Sequence, residues 1–187
     1  MEDIKRILKN IFGISGNGFV MWKSTSNKTI QSCNGLATRD ESTNTCALCV
    51  ALNNTIFKNN NKPEYFHPNC RCKNESHNLT TVTFDFPMSK LDGHLFINED
   101  KRAMMRSMGY TIEDCDELHE LTQTEVEKNF LAGDYKLQVL NENGQRFTTF
   151  IKLIGKRDHV GQTFNCHVGC VAWPFGKIKI ATPMVMD

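Results

Sequence analysis

The segment from Cys46 to Cys72 constrains the fold of this 187-residue chain more than any other, because it holds four of the eight cysteines. It opens with a Cys-x-x-Cys pair and closes with His-x-x-Cys-x-Cys, so the candidate donors are Cys46, Cys49, His67, Cys70 and Cys72. Thiolate and imidazole groups are preferred ligands of Zn²⁺, which binds four of them in a tetrahedron. Two short pairs separated by a loop are typical of zinc sites. The sequence therefore predicts a small module with a structural zinc ion.

Five donors compete for four positions in this module. Cys46 and Cys49 form the first pair. We expect His67 and Cys70 to form the second pair, because two intervening residues let a turn bring both donors inward. Cys72 is an alternative ligand in place of His67. A disulfide or plain buried thiols would explain the same cysteines without a metal, but a disulfide requires an oxidising compartment.

Composition and charge exclude several classes of protein. Hydrophobic residues make up 40% of the chain and charged residues 23%, which are ordinary values for a globular protein. The net charge of +1 does not favour nucleic-acid binding by the whole chain. No apolar run approaches the length of a membrane span, and the N-terminus lacks the apolar core of a signal peptide. We therefore expect a cytoplasmic protein with no membrane partner.

The N-terminal half is predicted to begin with a helix over residues 2–12, where apolar residues recur at helical spacing. A short apolar run at residues 18–22 predicts a strand. The polar stretch that follows Cys72 is the predicted linker. We therefore place one domain at residues 1–75, with the helix and the zinc-like module, and a second at residues 81–187.

The second half is predicted to be α+β, with helices first and a sheet after them. Residues 82–86 alternate like a strand. Helices are expected over Lys101–Met108, from Thr111 to about Leu121, and from a second cap at Thr124 to Gly133. The last fifty-five residues show strand periodicity and predict a four-stranded antiparallel meander: Tyr135–Leu140, Phe147–Ile154, Cys166–Trp173 and Lys177–Met184. Asn143-Gly144 predicts a tight hairpin between the first two strands.

The cysteine segment carries a resemblance. The phrases WKSTSN, ESTNTCALCVALNNTIF and PEYFHPNCRCK, within residues 22–73, are similar to the C-terminal end of phage minor head proteins of the Mu F type. The closing phrase His-Pro-Asn-Cys-Arg-Cys is intact at residues 67–72. In that family a long helical region that engages the head and portal lies upstream, whereas only some twenty residues precede Trp22 here. The resemblance implies a phage-associated module, in the host cytoplasm or attached to the virion.

A second resemblance covers roughly residues 84–184. The phrase KLDGHLFINEDKRAMMRSMGY, followed by strands and by Ala181-Thr182-Pro183, is similar to an uncharacterised C-terminal domain of bacterial polymorphic toxins. Lys101, Ala103, Gly109 and Tyr110 match that domain, and its His-Pro-x-Gly phrase is missing. Helices followed by a four-stranded meander are also the order of elements in the barnase–EndoU–colicin–RelE ribonucleases. Together these resemblances imply a toxin-like effector that acts on RNA.

A metal-independent ribonuclease would need a base for the ribose 2′-hydroxyl and cations for the phosphorane charge. His167 is the candidate base, although it would equally fit a partly exposed strand residue without a chemical role. His159 lies in a turn and could be either a solvated loop residue or part of the site. The other candidate catalytic residues are Lys177, Lys179, Thr182 and Arg157, with Lys156 and Thr149 as alternatives.

Other interpretations stay open at the level of sequence. Cys166, His167 and Cys170 could form a second metal cluster only with a bulge at Gly169, or one of the two cysteines could be a nucleophile. The whole chain could instead be a fragment of a phage head morphogenesis protein. It could also be a phage-encoded inhibitor that binds a host defence protein through its acidic helices or its N-terminal helix. The partner is thus RNA or a host or phage protein, and the sequence does not set the oligomeric state.

Overall fold

The computed structural model describes residues 18–30, 36–64, 72–77 and 82–186 and has the predicted α+β class. The predicted N-terminal helix lies outside these residues. The described strands and α-helices are β1 (Phe19–Lys23), α1 (Ala47–Leu52), β2 (Ile56–Lys58), β3 (Lys73–His77), β4 (Thr83–Asp85), α2 (Glu99–Arg106), α3 (Cys115–Ala132), β5 (Lys136–Asn141), β6 (Gly144–Ile154), β7 (Thr163–Trp173) and β8 (Lys177–Val185).

The N-terminal half contains a three-stranded antiparallel sheet with the strand order β2-β1-β3. Its central strand, β1, corresponds to the predicted apolar run. Phe19, Val20 and Trp22 of this strand are all buried, so both of its faces are covered. Helix α1 is apolar along its whole length, and its last four residues are buried. These apolar segments tie the N-terminal half to the rest of the core.

The C-terminal half contains a five-stranded sheet with the order β4-β8-β7-β6-β5. Strands β5 to β8 form the antiparallel meander that the sequence predicts. Strand β4 adds a fifth, parallel strand at the edge, where it pairs with β8. The hairpin between β5 and β6 is also confirmed, with Glu142 and Asn143 as its loop because Asn141 pairs with Gly144. Gly144 has φ of +116°, which a glycine tolerates.

One predicted helix boundary, in α3, is not observed. Helix α3 runs without a break from Cys115 to Ala132, so the predicted second cap at Thr124 is wrong. Leu118, Thr122, Val126 and Phe130 recur every four residues on its buried side, and packing of this continuous stripe outweighs the local capping signal. The helix ends, as predicted, at Gly133 with φ of +80°. None of the described helices is long and apolar enough to cross a membrane.

Phe130 of α3 lies at the centre of a cluster of aromatic rings. Its ring centroid is 6.4 Å from that of Phe19, 5.9 Å from Phe84, 5.3 Å from Tyr135 and 5.6 Å from Phe147. These rings come from β1, from β4, from the residue before β5 and from β6. A single core therefore continues across the linker predicted at residues 73–81. The first part of that prediction is wrong, because residues 73–77 form β3 and pair with β1.

The N-terminal half packs against the end of the five-stranded sheet that carries the β5–β6 and β7–β8 turns. The backbone N–H of Ala37 donates to the carbonyl of Glu142 at 2.8 Å, and Thr55 forms an isolated bridge with Pro174. The hydroxyl of Tyr135 donates to the carbonyl of Asn61 at 2.6 Å. These contacts hold both turns in place.

The opposite end of the sheet is fastened by a network of charges around Asp114, at the start of α3. Its carboxylate accepts from the Thr111 backbone N–H at 2.8 Å and from Arg157 at 2.7 Å, and Lys156 lies 3.2 Å away. Partial burial acts to raise the pKa of Asp114, but the hydrogen bonds from Thr111, Arg157 and Lys156 lower it to about 2. The β6–β7 turn is thereby held to the helix.

We expect Asp114→Asn to lower the free energy of unfolding by about 2 kcal/mol at pH 7, the usual effect of losing charged hydrogen bonds. Because folding lowers the carboxyl pKa, its contribution is complete above the unfolded value of about 4 and is lost as the pH falls towards 2. Urea unfolding from pH 7 to pH 2 should therefore show the difference between wild type and variant shrinking below pH 5.

The matched control for this experiment is Asp116→Asn, in the exposed part of the same helical turn. It should change the free energy of unfolding by less than about 0.5 kcal/mol at any pH. A difference between wild type and Asp114→Asn that stays constant from pH 7 to pH 2 would contradict the role assigned to the carboxylate.

Candidate functional site

The five-stranded sheet has one buried face and one outer face, and β7 shows this most clearly. Alternate residues of β7 are buried: Cys166, Val168, Cys170 and Ala172. The residues between them are partly exposed: His167, Gly169, Val171 and Trp173. The sequence prediction that these four share one face is therefore confirmed. Helix α3 and the aromatic cluster cover the other face.

Charge is concentrated on the outer face. The strands of this sheet contain five cationic side chains and a single carboxylate, Asp85; the cations are Lys136, Arg146, Lys152, Lys177 and Lys179. The pairing places Arg146 opposite Val171, Val171 opposite Lys179, and Lys179 opposite Asp85. Helix α3 has the opposite balance, with five acidic residues and one lysine. The near-neutral chain therefore has a basic sheet face and an acidic helix.

A cleft of about 470 Å³ opens on the outer face. Its floor includes Gly169, Val171 and Ala181, whose side chains are small or absent. A Cβ atom added at Gly169 would meet only the Ala181 side chain, at an ordinary contact distance of 3.9 Å. The polar residues around the floor are Asp85, Lys90, Gln138, Arg146 and Lys179. The cleft thus presents three cations around a shallow floor.

Both irregularities in the pairing of β5 to β8 lie at this cleft. Between β5 and β6, Gln138 and Val139 stand opposite the single residue Arg146. Between β7 and β8, Ala181 and Thr182 stand opposite the single residue Gly169. Bulges bend a sheet and redirect side chains, and they are common beside functional sites. Here they shape the part of the outer face where the cations gather.

The side chain of Gln145 satisfies backbone carbonyls at the first bulge. Its amide donates to the carbonyl oxygens of Gln138 at 2.8 Å and Arg146 at 2.7 Å. Gln145 is 3% exposed, so its side chain is fixed in the structure. The irregular strand is therefore held in one arrangement by a buried polar group.

The cations of the cleft are held by aromatic and acidic neighbours. The Nζ atom of Lys179 lies 3.4 Å from the centroid of the Trp173 ring, and Lys177 lies 3.4 Å from the carboxylate of Asp85. Partial burial and the neighbouring charge of Lys177 lower the pKa of Lys179. Arg146 is exposed. An anion bound between Arg146 and Lys179 would relieve this repulsion among like charges.

His167 lies further along the outer face. It pairs with Phe150 of β6 on one side and with Met184 of β8 on the other. Gly169, in the floor of the cleft, is two residues away on the same strand, a separation of about 7 Å. His167 does not itself line the cleft. The predicted base therefore lies four strand residues, about 13 Å, from the position that pairs with Lys179, and next to the Phe150 ring, which is 46% exposed.

The other candidate catalytic residues lie elsewhere. Thr182 is buried at the second bulge, and the Thr149 hydroxyl is fully buried and donates to the carbonyl of Asp134. Arg157, Lys156 and His159 lie in or beside the β6–β7 turn, where the first two bind Asp114. Strand alternation in the sequence could not reveal these contacts, because the residues that a turn packs against depend on the tertiary structure.

The cysteines of β7 do not form a site with His167. Cys166 and Cys170 point to the buried face, whereas His167 lies on the outer face. Burial raises the pKa of Cys166 to about 11 and that of Cys170 even further. A reactive cysteine needs the thiolate form, which burial disfavours here. The bulge that a second metal cluster would require lies on β8 and leaves both thiols inside.

The predicted zinc ligands are only partly covered by the described residues, because His67 and Cys70 fall outside them. Cys46 precedes the first residue of α1 and is half-buried, and Cys49 is buried within this helix. Cys72 is buried and directly precedes β3. The described parts of the chain alone contain no group of three or more His, Cys, Asp or Glu side chains arranged to hold a metal ion.

Sequence reasoning missed four residues of the cleft: Asp85, Lys90, Gln138 and Arg146. Arg146 could have been found, because it precedes an alternating strand in phase with its outward residues. The position of Asp85 depends on the parallel pairing of β4 with β8, which joins segments nearly a hundred residues apart. The position of Gln138 depends on the bulge in β5.

The comparisons with known proteins add no relative: no protein-family model matches the sequence, and no curated protein or solved structure is significantly similar to it. Function is therefore argued from the cleft and from the sequence patterns alone.

Proposed function

We propose that this chain is a toxin-like effector that binds and cleaves RNA on the outer face of its five-stranded sheet. The observation that carries this proposal is the cleft in which Lys90, Arg146 and Lys179 line a floor that includes Gly169 and Ala181. The resemblances to a Mu F-type module and to a toxin domain support a phage association.

Anion binding is the chemistry that this cleft favours. The side chains of Arg and Lys neutralise phosphates, and this electrostatic attraction supplies most of the affinity for a nucleic-acid backbone. Asp85, the one carboxylate in the strands of this sheet, already forms an ion pair with Lys177. The outer face also carries exposed aromatic surface at Phe150, on which a base can stack. A basic groove with aromatic groups is the arrangement used for single-stranded nucleic acids.

The proposed cleavage requires no metal. A base removes the proton of the ribose 2′-hydroxyl, the 2′-oxygen attacks phosphorus, and the bond from phosphorus to the 5′-oxygen breaks. The departing 5′-oxygen takes up a proton from solvent water, which leaves a 2′,3′-cyclic phosphate and a 5′-hydroxyl. His167 is our candidate base, because imidazole exchanges a proton near neutral pH. Lys179 and Arg146, about 13 Å along the sheet from His167, would hold the phosphates of neighbouring nucleotides.

We expect Lys179→Ala to weaken the binding of a single-stranded RNA about three- to tenfold at 0.1 M salt, because one phosphate contact is lost. The slope of log Kd against log salt should become less steep by about 0.7. Fluorescence anisotropy with a labelled 2′-O-methyl 12-mer measures both quantities, since the absence of a 2′-hydroxyl prevents cleavage of the probe. Arg146→Ala should behave in the same way.

The control for this measurement is Lys128→Ala, which removes the same charge from the acidic helix, where Lys128 pairs with Glu125 at 3.1 Å. It should leave both the affinity and the salt dependence nearly unchanged. Equal effects of Lys128→Ala and Lys179→Ala would show that binding depends only on net charge. Undetectable binding by the wild-type chain would overturn the proposed function.

Cleavage provides a separate prediction. We expect His167→Ala to slow the cleavage of single-stranded RNA by at least about a hundredfold, the usual contribution of a general base, while binding of the 2′-O-methyl probe persists. The assay follows a 5′-labelled RNA on a gel and tests the fragments for a 2′,3′-cyclic phosphate. His159→Ala, in the β6–β7 turn, is the matched control. Unchanged cleavage in His167→Ala would assign the base to another residue.

We also propose that a structural zinc ion is bound by Cys46, Cys49, His67 and Cys70, with Cys72 as the alternative ligand. The positions of Cys46 and Cys49 fit this role, because residues three apart at the start of a helix lie on the same side. The metal would supply folding free energy rather than chemistry.

Cys49→Ala should reduce the zinc content of the purified chain from about one ion per molecule to almost none. It should also lower the thermal midpoint, because the metal contributes to folding directly. Elemental analysis and thermal unfolding measure the two effects. Cys115→Ala, which removes a buried thiol from α3, should retain the zinc. Equal zinc contents in the two variants would refute the assignment.

A further inference from the structure

Phe175, at the tip of the β7–β8 turn, combines two unfavourable features. Its side chain is 56% exposed, and its backbone has φ of +60°. Positive φ is strained for a bulky residue, and glycine or asparagine normally occupies such positions. Of the four non-glycine residues with positive φ in the described parts of the chain, two are asparagines, and Arg157 is held by Asp114. Phe175 is the one aromatic residue among them.

The N-terminal half holds this turn in its strained form. The backbone N–H of Phe175 donates to the carbonyl of Asn54 at 2.7 Å, and Thr55 bridges to Pro174. Asn54 itself has φ of +62°, and its side-chain oxygen accepts from Lys23 at 2.5 Å. A strained residue that neighbouring structure keeps in place indicates a functional role more often than a random defect.

The turn leads directly into the basic face. Trp173 and Lys177, which flank it, pair with each other, and Lys179 lies two residues beyond. Four residues of strand span about 13 Å, so the ring of Phe175 projects within a few nucleotides of the cleft. Lys179 already lies against the Trp173 ring. Two aromatic residues, Phe175 and Trp173, and two lysines, Lys177 and Lys179, therefore lie at this end of the sheet.

We propose that Phe175 is a stacking platform for an unpaired base of the RNA whose phosphates bind in the cleft. This inference rests on the proposed function and adds where the RNA must be unpaired: at the base that crosses the β7–β8 turn. In a duplex the faces of the bases are stacked on one another and are not accessible to a protruding ring. Phe175 thereby selects single strands, whereas the cations hold the backbone of either form.

The experiment compares a labelled single-stranded 2′-O-methyl 12-mer with the same strand annealed to its complement. Phe175→Ala should weaken the binding of the single strand about five- to a hundredfold, the usual effect of losing one stacked base. It should change the binding of the duplex by less than about twofold and leave the salt dependence unchanged, because no charge is lost. Phe175→Trp should retain the affinity for the single strand. Val160→Ala, at the exposed β6–β7 turn, is the control.

A second variant separates recognition from folding. Phe175→Gly removes the ring and accepts a positive φ without strain, so the thermal midpoint should stay the same or rise. The affinity for the single strand should nevertheless fall as far as it does in Phe175→Ala. Loss of affinity together with equal or greater stability supports a direct role in binding.

Two outcomes would overturn the inference. The first is unchanged single-strand binding in Phe175→Ala while Lys179→Ala weakens it, which leaves the proposed function intact and removes the stacking role. The second is an equal loss for single strand and duplex, which would show that Phe175 does not read unpaired bases. Failure of the proposed function is recognised separately, because the wild-type chain would then bind neither form.

Discussion

The aromatic cluster around Phe130 is the interaction on which the rest of the structure depends. Phe130 is fully buried, and its neighbours come from β1, β4, β6 and the segment before β5. Aromatic side chains bury large apolar areas, and clusters of rings contribute further through their preferred geometries. Because both halves of the chain supply rings, the N-terminal sheet and the five-stranded sheet form around the same residue. The fixed position of Asn54 beside Phe175 is a consequence of this shared core.

Helix α3 and the aromatic cluster cover one face of the five-stranded sheet, and this leaves only the other face for charged side chains. The buried face of β6 to β8 receives apolar side chains and fully buried thiols, so every charged residue of these strands lies on the outer face. Two of these cations, Lys177 and Lys179, are two residues apart on β8, and burial together with the charge of Lys177 lowers the pKa of Lys179. The two bulges, opposite Arg146 and Gly169, lie at the cleft that Lys90, Arg146 and Lys179 line. The outer face thus carries the positive charge of these strands, whereas α3 carries negative charge.

The sequence predicted those features that depend on neighbouring residues. Alternation along β7 predicted the two faces of the sheet, and Gly133 predicted the end of α3. The Asn143-Gly144 pair predicted the hairpin, although its loop is Glu142-Asn143, one residue earlier. Predictions from the sequence failed where contacts between distant segments determine the structure. Thr124 has local capping signals, but Leu118, Val126 and Phe130 pack as one stripe and keep α3 continuous. Lys179 and His167 were found because they lie on alternating strands, whereas Asp85 reaches the cleft only through the parallel pairing of β4.

Contacts from the N-terminal half hold the β7–β8 turn in the strained conformation seen at Phe175. A β7–β8 turn in isolation would favour glycine at this position, and the strain in Phe175 persists only where other structure determines the backbone. Here that structure is the Asn54 carbonyl, which follows α1, the helix that contains Cys49. Any stability that a zinc ion adds around Cys46 and Cys49 would therefore be transmitted over a few residues to the turn. Folding of the cysteine-containing segment is in this way linked to the conformation of the β7–β8 turn through one hydrogen bond and one bridge.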